Sequence, residues 1–354
     1  MRPLQFGVTE YDPDRAFPGF TLFSPSGGTD SFLIDMRGEI RKKWALPGTV
    51  GNYGQLLPNG NLLVTLRSPD GPNFNPAGGR ILEFDWDGNI VWDHIDHFQH
   101  HDFHRLPNGN TIYLAWELIP TDEAKTQMVG GIPDTEHEDG GVYYDLLREV
   151  NQAGEMVWEW RMAEYFPFEK YPLRATRSRE EYAHANTCFI QDDGNIILSW
   201  RDLDLIALLD RNTGQFLWKL EDRKWGGQHD PRQLPNGNIT LFANGSEQVG
   251  LEFSRVLEIN PSNGEIVWTY KGTPQDTFFS TRISGAQRLA NGNTFICEGR
   301  HGRLFEVTSE GDIVWEFVSP HQNTRGTEIT RQIFRALRYA PDSPEIGGRL
   351  KLAV

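Results

Sequence analysis

"RLPNGNTIYL", residues 105–114, is a tight polar turn between two apolar runs. An Asn-Gly pair flanked in this way is the strongest short-range signal for a β-hairpin. The pattern returns as "LLPNGNLLV" (56–64), "QDDGNIILS" (191–199), "QLPNGNITLF" (233–242) and "RLANGNTFIC" (288–297). A second pattern interleaves with it, a glycine turn and a short strand ending in tryptophan: "GEIRKKW", "GNIVW", "GEMVW", "GQFLW", "GEIVW" and "GDIVW". Its tryptophans are Trp44, Trp92, Trp158, Trp218, Trp268 and Trp315.

One repeat therefore reads strand, NG turn, strand, loop, strand, DG turn, strand, over roughly 45–55 residues, the signature of a propeller blade. A lone blade cannot bury both faces, and stacking blades around an axis does so. The tryptophan strands number six and the NG/DG hairpins five. The first blade, beginning at "FTLFSPSGG", lacks an innermost strand, and the tail "RQIFRALRYAP" (331–341) is a strand without a blade. The expected fold is thus all-β: a six-bladed β-propeller of four-stranded antiparallel blades, its ring closed by the C-terminal strand joining the N-terminal blade. A single domain over 1–354 is expected. The longest insertion, about 117–142 in blade three, and the segment 161–183 are candidate lids over the channel mouth.

Composition agrees with many short strands and turns: 36 glycines, 21 prolines and 12% aromatic residues. The formal charge of −15 argues against nucleic acid and anionic membrane as partners. No stretch approaches a membrane-spanning length, the N-terminus carries no apolar signal region, and only Cys188 and Cys297 are present. A cytoplasmic location is the expectation.

Register is read from the hairpin glycine. Eight residues before it stand Asn52, His101, Asn186, His229 and Ser284; ten before it stand His184 in blade four and Arg282 in blade six. The first strand of each blade lines the channel, so His101, His184, Asn186 and His229 are expected to converge at the end away from the turns. Asn52 is a weaker candidate. Seven residues after the glycine stand Arg67, Trp116, Arg201, Asn244 and Gly299. Arg201 should approach His184 and Asn186, and Asn244 should approach His229. His104 should point away from the channel, His100 should lie on the loop side, and His94 and His97 should lie in the preceding connection.

The segments "HHDFHRLPNGNTIYL", "HANTCFIQDDGNIILSWRDLDLIALLDRNTGQFLWKL", "GQHDPRQLPNGNITLFANG", "SRVLEINPSNGEIVW" and "GRLFEVTSEGDIVWEF" resemble the bacterial arylsulfotransferase (aryl-sulfate sulfotransferase) family, from about residue 18 to residue 342. The resemblance implies a six-bladed propeller that moves a sulfuryl group from a phenolic sulfate ester to a phenolic acceptor. It implies no nucleotide sulfate donor and no cofactor. A histidine attacks sulfur and becomes a sulfohistidine, from which a second phenol takes the group. The family's nucleophile in "QHD" falls on His229, its "HxN" pair on His184 and Asn186, its arginine on Arg201 in "SWRD", and its first active-site histidine on His101 in "HHDF".

The residue chemistry is compatible with that reaction. A neutral imidazole is nucleophilic near pH 7. Arg201, Asn186, His101 and His184 offer donors to sulfuryl oxygens. His184 or His101 would shuttle the proton of the phenol. Trp116 or residues of 161–183 would stack on the aromatic ring. Two rival readings stand beside this one. The first is a metal-dependent lyase or hydrolase built on the histidines. The second is a non-catalytic propeller scaffold.

Overall fold

A computed structural model describes residues 5–72, 74, 77–138, 140–247, 250–325 and 328–352. It is an all-β ring of six blades. Blades two to five are continuous in sequence, each a four-stranded antiparallel sheet whose first strand is innermost: Val50–Leu56, Gln99–Arg105, Ala185–Ile190 and His229–Gln233. Blade six begins with Gly285–Arg288. The innermost strand of blade one is Ile333–Tyr339, paired with Phe20–Pro25, so the C-terminal strand closes the ring as expected. The N-terminus adds something that the repeat count does not disclose. Gly7–Tyr11 pairs with Ile313–Val318 as a fifth, outermost strand of blade six. Each terminus thus holds a blade built mostly by the other end of the chain.

The repeats have physical causes. Each hairpin glycine sits at positive φ, for example +87° at Gly109 and +86° at Gly237, where an L side chain is strained. The turn is closed by paired backbone bonds such as Leu106 N–H to Asn110 O at 2.8 Å and Gly109 N–H to Leu106 O at 2.9 Å. The tryptophans stitch neighbouring blades. The indoles of Trp44, Trp92, Trp268 and Trp315 donate to carbonyls of Asp85, Gln152, Ser309 and Met36, each in the next blade. In blade three this bond belongs to Trp160, which donates to Gly214, and not to Trp158 two residues earlier on the same strand. Apolar faces such as Leu62, Val64 and Leu82 against Phe20, Leu22 and Leu33 fill the wedges between blades.

The first insertion is narrower than expected, and the second spans 162–184 between strands Met156–Arg161 and Ala185–Ile190. Strand Thr111–Pro120 runs four residues into the first and strand Gly141–Val150 begins at 141, leaving a segment with one short helix, Thr121–Gln127. The second holds Met162–Tyr165 and the turn Phe168–Lys170. They pack on each other, Leu173 N–H donating to Val129 O (2.9 Å) and Ile132 N–H to Arg177 O (2.8 Å). Both cysteines are buried and free. Among the described residues, no helix is long and apolar enough to cross a membrane.

Candidate active site

At the mouth of the channel, on the end away from the NG turns, lies a cavity of about 870 Å³, counting the part open to solvent. Its lining includes His101, His184, His229, Arg201, Arg67, Arg282 and Asn52, with Phe334 of the closing strand and Gln332 just before it. Three guanidiniums and three imidazoles face it, and no described carboxylate does. In a chain of charge −15 this is a local reversal of sign, and it suits an anion.

The backbone that presents these groups is unusual. His101, His184, Asp230, Ile283 and Ser284 all have φ between +47° and +87°. Such conformations cost on the order of 1–3 kcal/mol each. They coincide with bulges that break the pairing of the innermost strands, between Tyr113 and Leu114, Ala185 and Thr187, and His229 and Arg232. A bulge resets the alternation of side chains and aims a residue sideways.

His229 is held at one ring nitrogen. Its Nδ1 lies 3.0 Å from Gly227 O and 2.8 Å from Asn244 Oδ1. The Asn244 amide is oriented by its NH₂, which donates to Ser280 O and Ile283 O. Both partners of Nδ1 are acceptors, so Nδ1 carries the proton and Nε2 keeps its lone pair. Burial, with Arg201 second, pushes the His229 pKa down to about 3, so the ring is neutral at physiological pH.

His101 and His184 meet Nε2 to Nε2 at 3.1 Å. His184 Nδ1 is 2.6 Å from Glu181 Oε2, and His101 Nδ1 is 2.7 Å from His100 Nδ1. Burial and then the neighbouring His184 hold His101 well below the usual imidazole range. Arg201 donates its backbone N–H to His184 O (3.1 Å), and its Nη1 bonds Asp202 Oδ1 (3.0 Å). Asn52, with its amide turned so that oxygen meets a donor, accepts His101 N–H at 3.0 Å.

The remaining candidates separate into those behind the cavity and those elsewhere. Asn244 is behind His229, as just described. Asn186 does not line the cavity: the bulge turns its amide to the next blade, where Nδ2 donates to Gln228 O at 2.7 Å. Trp116 is not at the mouth. Its strand continues to Pro120, so Trp116 lies mid-strand and 1% exposed. There it stacks on His100 (centroids 4.2 Å apart) and donates Nε1–H to Glu181 at 2.7 Å. His100 is no loop residue either. It belongs to the innermost strand, fully buried. His94 is in the outer strand Ile90–Ile95, stacked on Trp92, whereas His97 is in the connection, bonded to Ser68. His104 points away from the cavity, 3.5 Å from Asp102. Glu181 and Asp145 had no register signal, because they come from an irregular connection and from the third strand of blade three, Gly141–Val150. Among the described residues, the one close group of three possible metal ligands is Asp102, His104 and Cys188, which excludes the cavity histidines. The Arg335 guanidinium sits 3.0 Å from the same Asp102, which opposes a cation there.

Fold and site together define a β-propeller whose channel mouth is lined with histidines and arginines. The family model for arylsulfotransferases matches residues 95–320, and the chain belongs to that family. No curated protein sequence matches the chain. Two solved structures share its fold. One, a protein of unknown function from Bacteroides caccae, is 15% identical, with a TM-score of 0.58 over 91% of this chain and 98% of that one. The other, a streptogramin B lyase, is 10% identical, with a TM-score of 0.50 over 94% and 93%.

Proposed function

We propose that this protein is an aryl-sulfate sulfotransferase-like enzyme that moves a sulfuryl group from a phenolic sulfate ester to a phenolic acceptor by a ping-pong reaction through His229. The observation that carries the reading is the fixed tautomer of His229 facing a cavity lined with guanidiniums. In the first half-reaction the Nε2 lone pair bonds to sulfur, the S–O(aryl) bond breaks and the phenolate leaves. Arg201, with Arg67 and Arg282 around the cavity, balances the sulfuryl charge. In the second half the acceptor phenol attacks sulfur and the S–Nε2 bond breaks. Low basicity of His229 favours this half, because a weakly basic nitrogen is a better leaving group. His101 and His184 hold the proton that the departing phenolate needs.

The test is intact mass after incubation with 4-nitrophenyl sulfate, with and without a phenol. One added sulfuryl group is expected in the wild type, discharged by the phenol and absent in His229→Ala. Normal turnover by His229→Ala sinks the assignment of the nucleophile. Absence of reaction together with a copurifying metal favours the metal-dependent lyase or hydrolase.

A further inference from the structure

The cavity histidines do not end at the cavity. Behind them runs a file, Glu181, His184, His101 and His100, joined by hydrogen bonds and ending in contact with Asp145. Its links are 2.6 Å (Glu181 Oε2 to His184 Nδ1), 3.1 Å (His184 Nε2 to His101 Nε2), 2.7 Å (His101 Nδ1 to His100 Nδ1) and 3.5 Å (His100 Nε2 to Asp145 Oδ1). At this last contact neither atom makes a hydrogen bond among the described residues, not even to the other, and both are buried. Trp116 clamps the file from one side, stacked on His100 and bonded to Glu181.

The proton count is decisive. The three hydrogen-bonded links each hold one proton, and the 3.5 Å contact of His100 Nε2 with Asp145 Oδ1 needs a further one to become a hydrogen bond. Three neutral imidazoles bring three. A file with every link made therefore holds one proton more, and Asp145 at the inner end is placed to keep it. Burial and then Glu181 push the Asp145 carboxyl well above its usual range, so it holds a proton where an exposed aspartate would not. Burial and then His184 keep His100 neutral. The remaining charged or titratable groups facing the file are Asp202, Arg201 and the neutral His229.

We infer that Asp145, His100 and Glu181, acting through His101 and His184, form a buried proton relay that stores the phenol proton between the two half-reactions. The inference rests on the sulfotransferase reading and gives His101 and His184 their proton source. As the S–O(aryl) bond breaks, the aryl oxygen takes the bonding pair and a proton from the His101–His184 pair. That pair is refilled by two proton shifts, from His100 Nδ1 to His101 Nδ1 and from Asp145 Oδ1 to His100 Nε2, while Glu181 keeps its bond from His184 Nδ1, and Asp145 becomes a carboxylate. In the second half the acceptor phenol gives its proton to the same pair, the shifts reverse, and Asp145 is protonated again. No net proton is taken from solvent, which suits a site whose inner histidines are closed to water. Asp145, His100 and Glu181 are positioning residues, since none lines the cavity.

The test compares a good leaving group, 4-nitrophenyl sulfate, with a poor one, 4-methylphenyl sulfate, over a range of pH. Only the poor one depends on prompt protonation. In Asp145→Asn, and separately in His100→Gln, the kcat/KM ratio between the two substrates is expected to widen at least tenfold. The alkaline limb for the poor substrate should move. Glutamine keeps a hydrogen-bond partner for His101 but cannot pass a proton on. An equal loss on both substrates, with an unmoved pH profile, means a structural role and overturns the relay. Sulfuryl labelling of His229 by 4-nitrophenyl sulfate reports whether each variant still builds the site. Should Asp145→Asn fail that check, Glu181→Gln and His100→Gln decide. Lack of labelling in the wild type, by contrast, refutes the sulfohistidine reading itself.

Discussion

Three imidazoles, His100, His101 and His229, are buried and at most 2% exposed. Burial depresses all three, His229 to about 3. In the unfolded chain each returns to an ordinary pKa near 6.5. The unfolded state then binds more protons below that value, so the stability these groups contribute is complete above pH 6.5 and is lost as pH falls. Asp145 works in the opposite sense, so the His100–Asp145 pair binds about one proton in either state from roughly pH 4 to 6.5 and largely cancels. The net slope comes from His101 and His229. For His229 alone the expected loss between pH 7 and 5 is about 2 kcal/mol. Urea unfolding at the two pH values checks this, and equal stability at both refutes it. His101 and His229 were legible in sequence at a fixed distance from the hairpin glycine, whereas His100 was placed on the loop side. Their partners were less so: Asn244 was placed correctly beside His229, but Glu181 and Asp145 carry no periodic signal.

At the scale of the element, the NG hairpin and the bulge pull in different directions. The hairpin glycine was readable because its demand is local. At Gly237, φ is +86° and a Cβ would meet nothing within 4 Å. Gly237→Ala should therefore cost only the backbone strain, about 1–2 kcal/mol, and leave kinetics on 4-nitrophenyl sulfate unaltered. A chemical-denaturation midpoint measures it, and a loss several times larger would mean that the turn carries tertiary packing. The bulges were not readable, and they explain the misplaced candidates. Counting by twos puts Asn186 beside His184, yet the break between Ala185 and Thr187 sends Asn186 to the next blade. Counting seven residues past the glycine puts Trp116 at the mouth, yet its strand is longer than its counterparts and buries it.

Across the whole molecule, the channel is tied by Arg335 on the closing strand. It reaches Asp102 of blade three (3.0 Å) and Asp230 of blade five (3.1 Å) and is 2% exposed. Burial alone would lower it, but the two carboxylates hold it above the usual arginine range. Burial likewise would raise Asp102, and Arg335 keeps it well below. Removing one member of such a network strands the others. Arg335→Leu should destabilise the fold by about 3–5 kcal/mol. A loss under 1 kcal/mol in equilibrium unfolding would show that ring closure does not depend on this tie. The closing strand also carries Phe334 near its start into the cavity lining, with Gln332 just before it, so closing the ring and completing the site are one event.

The blade count, the antiparallel four-strand repeat, the closing strand and the set His101, His184, His229 and Arg201 can all be read along the chain without its fold. Each follows from short-range chemistry repeated around a ring: turns that need glycine, strands that alternate, and polar residues at one register. Which nitrogen of His229 is free, the place of Trp116 and His100 beneath the site, and the file of five groups ending at Asp145 emerge only once the blades are packed. Those features depend on contacts between blades and on bulges, where side-chain direction is set by packing across the channel and not by position along the strand.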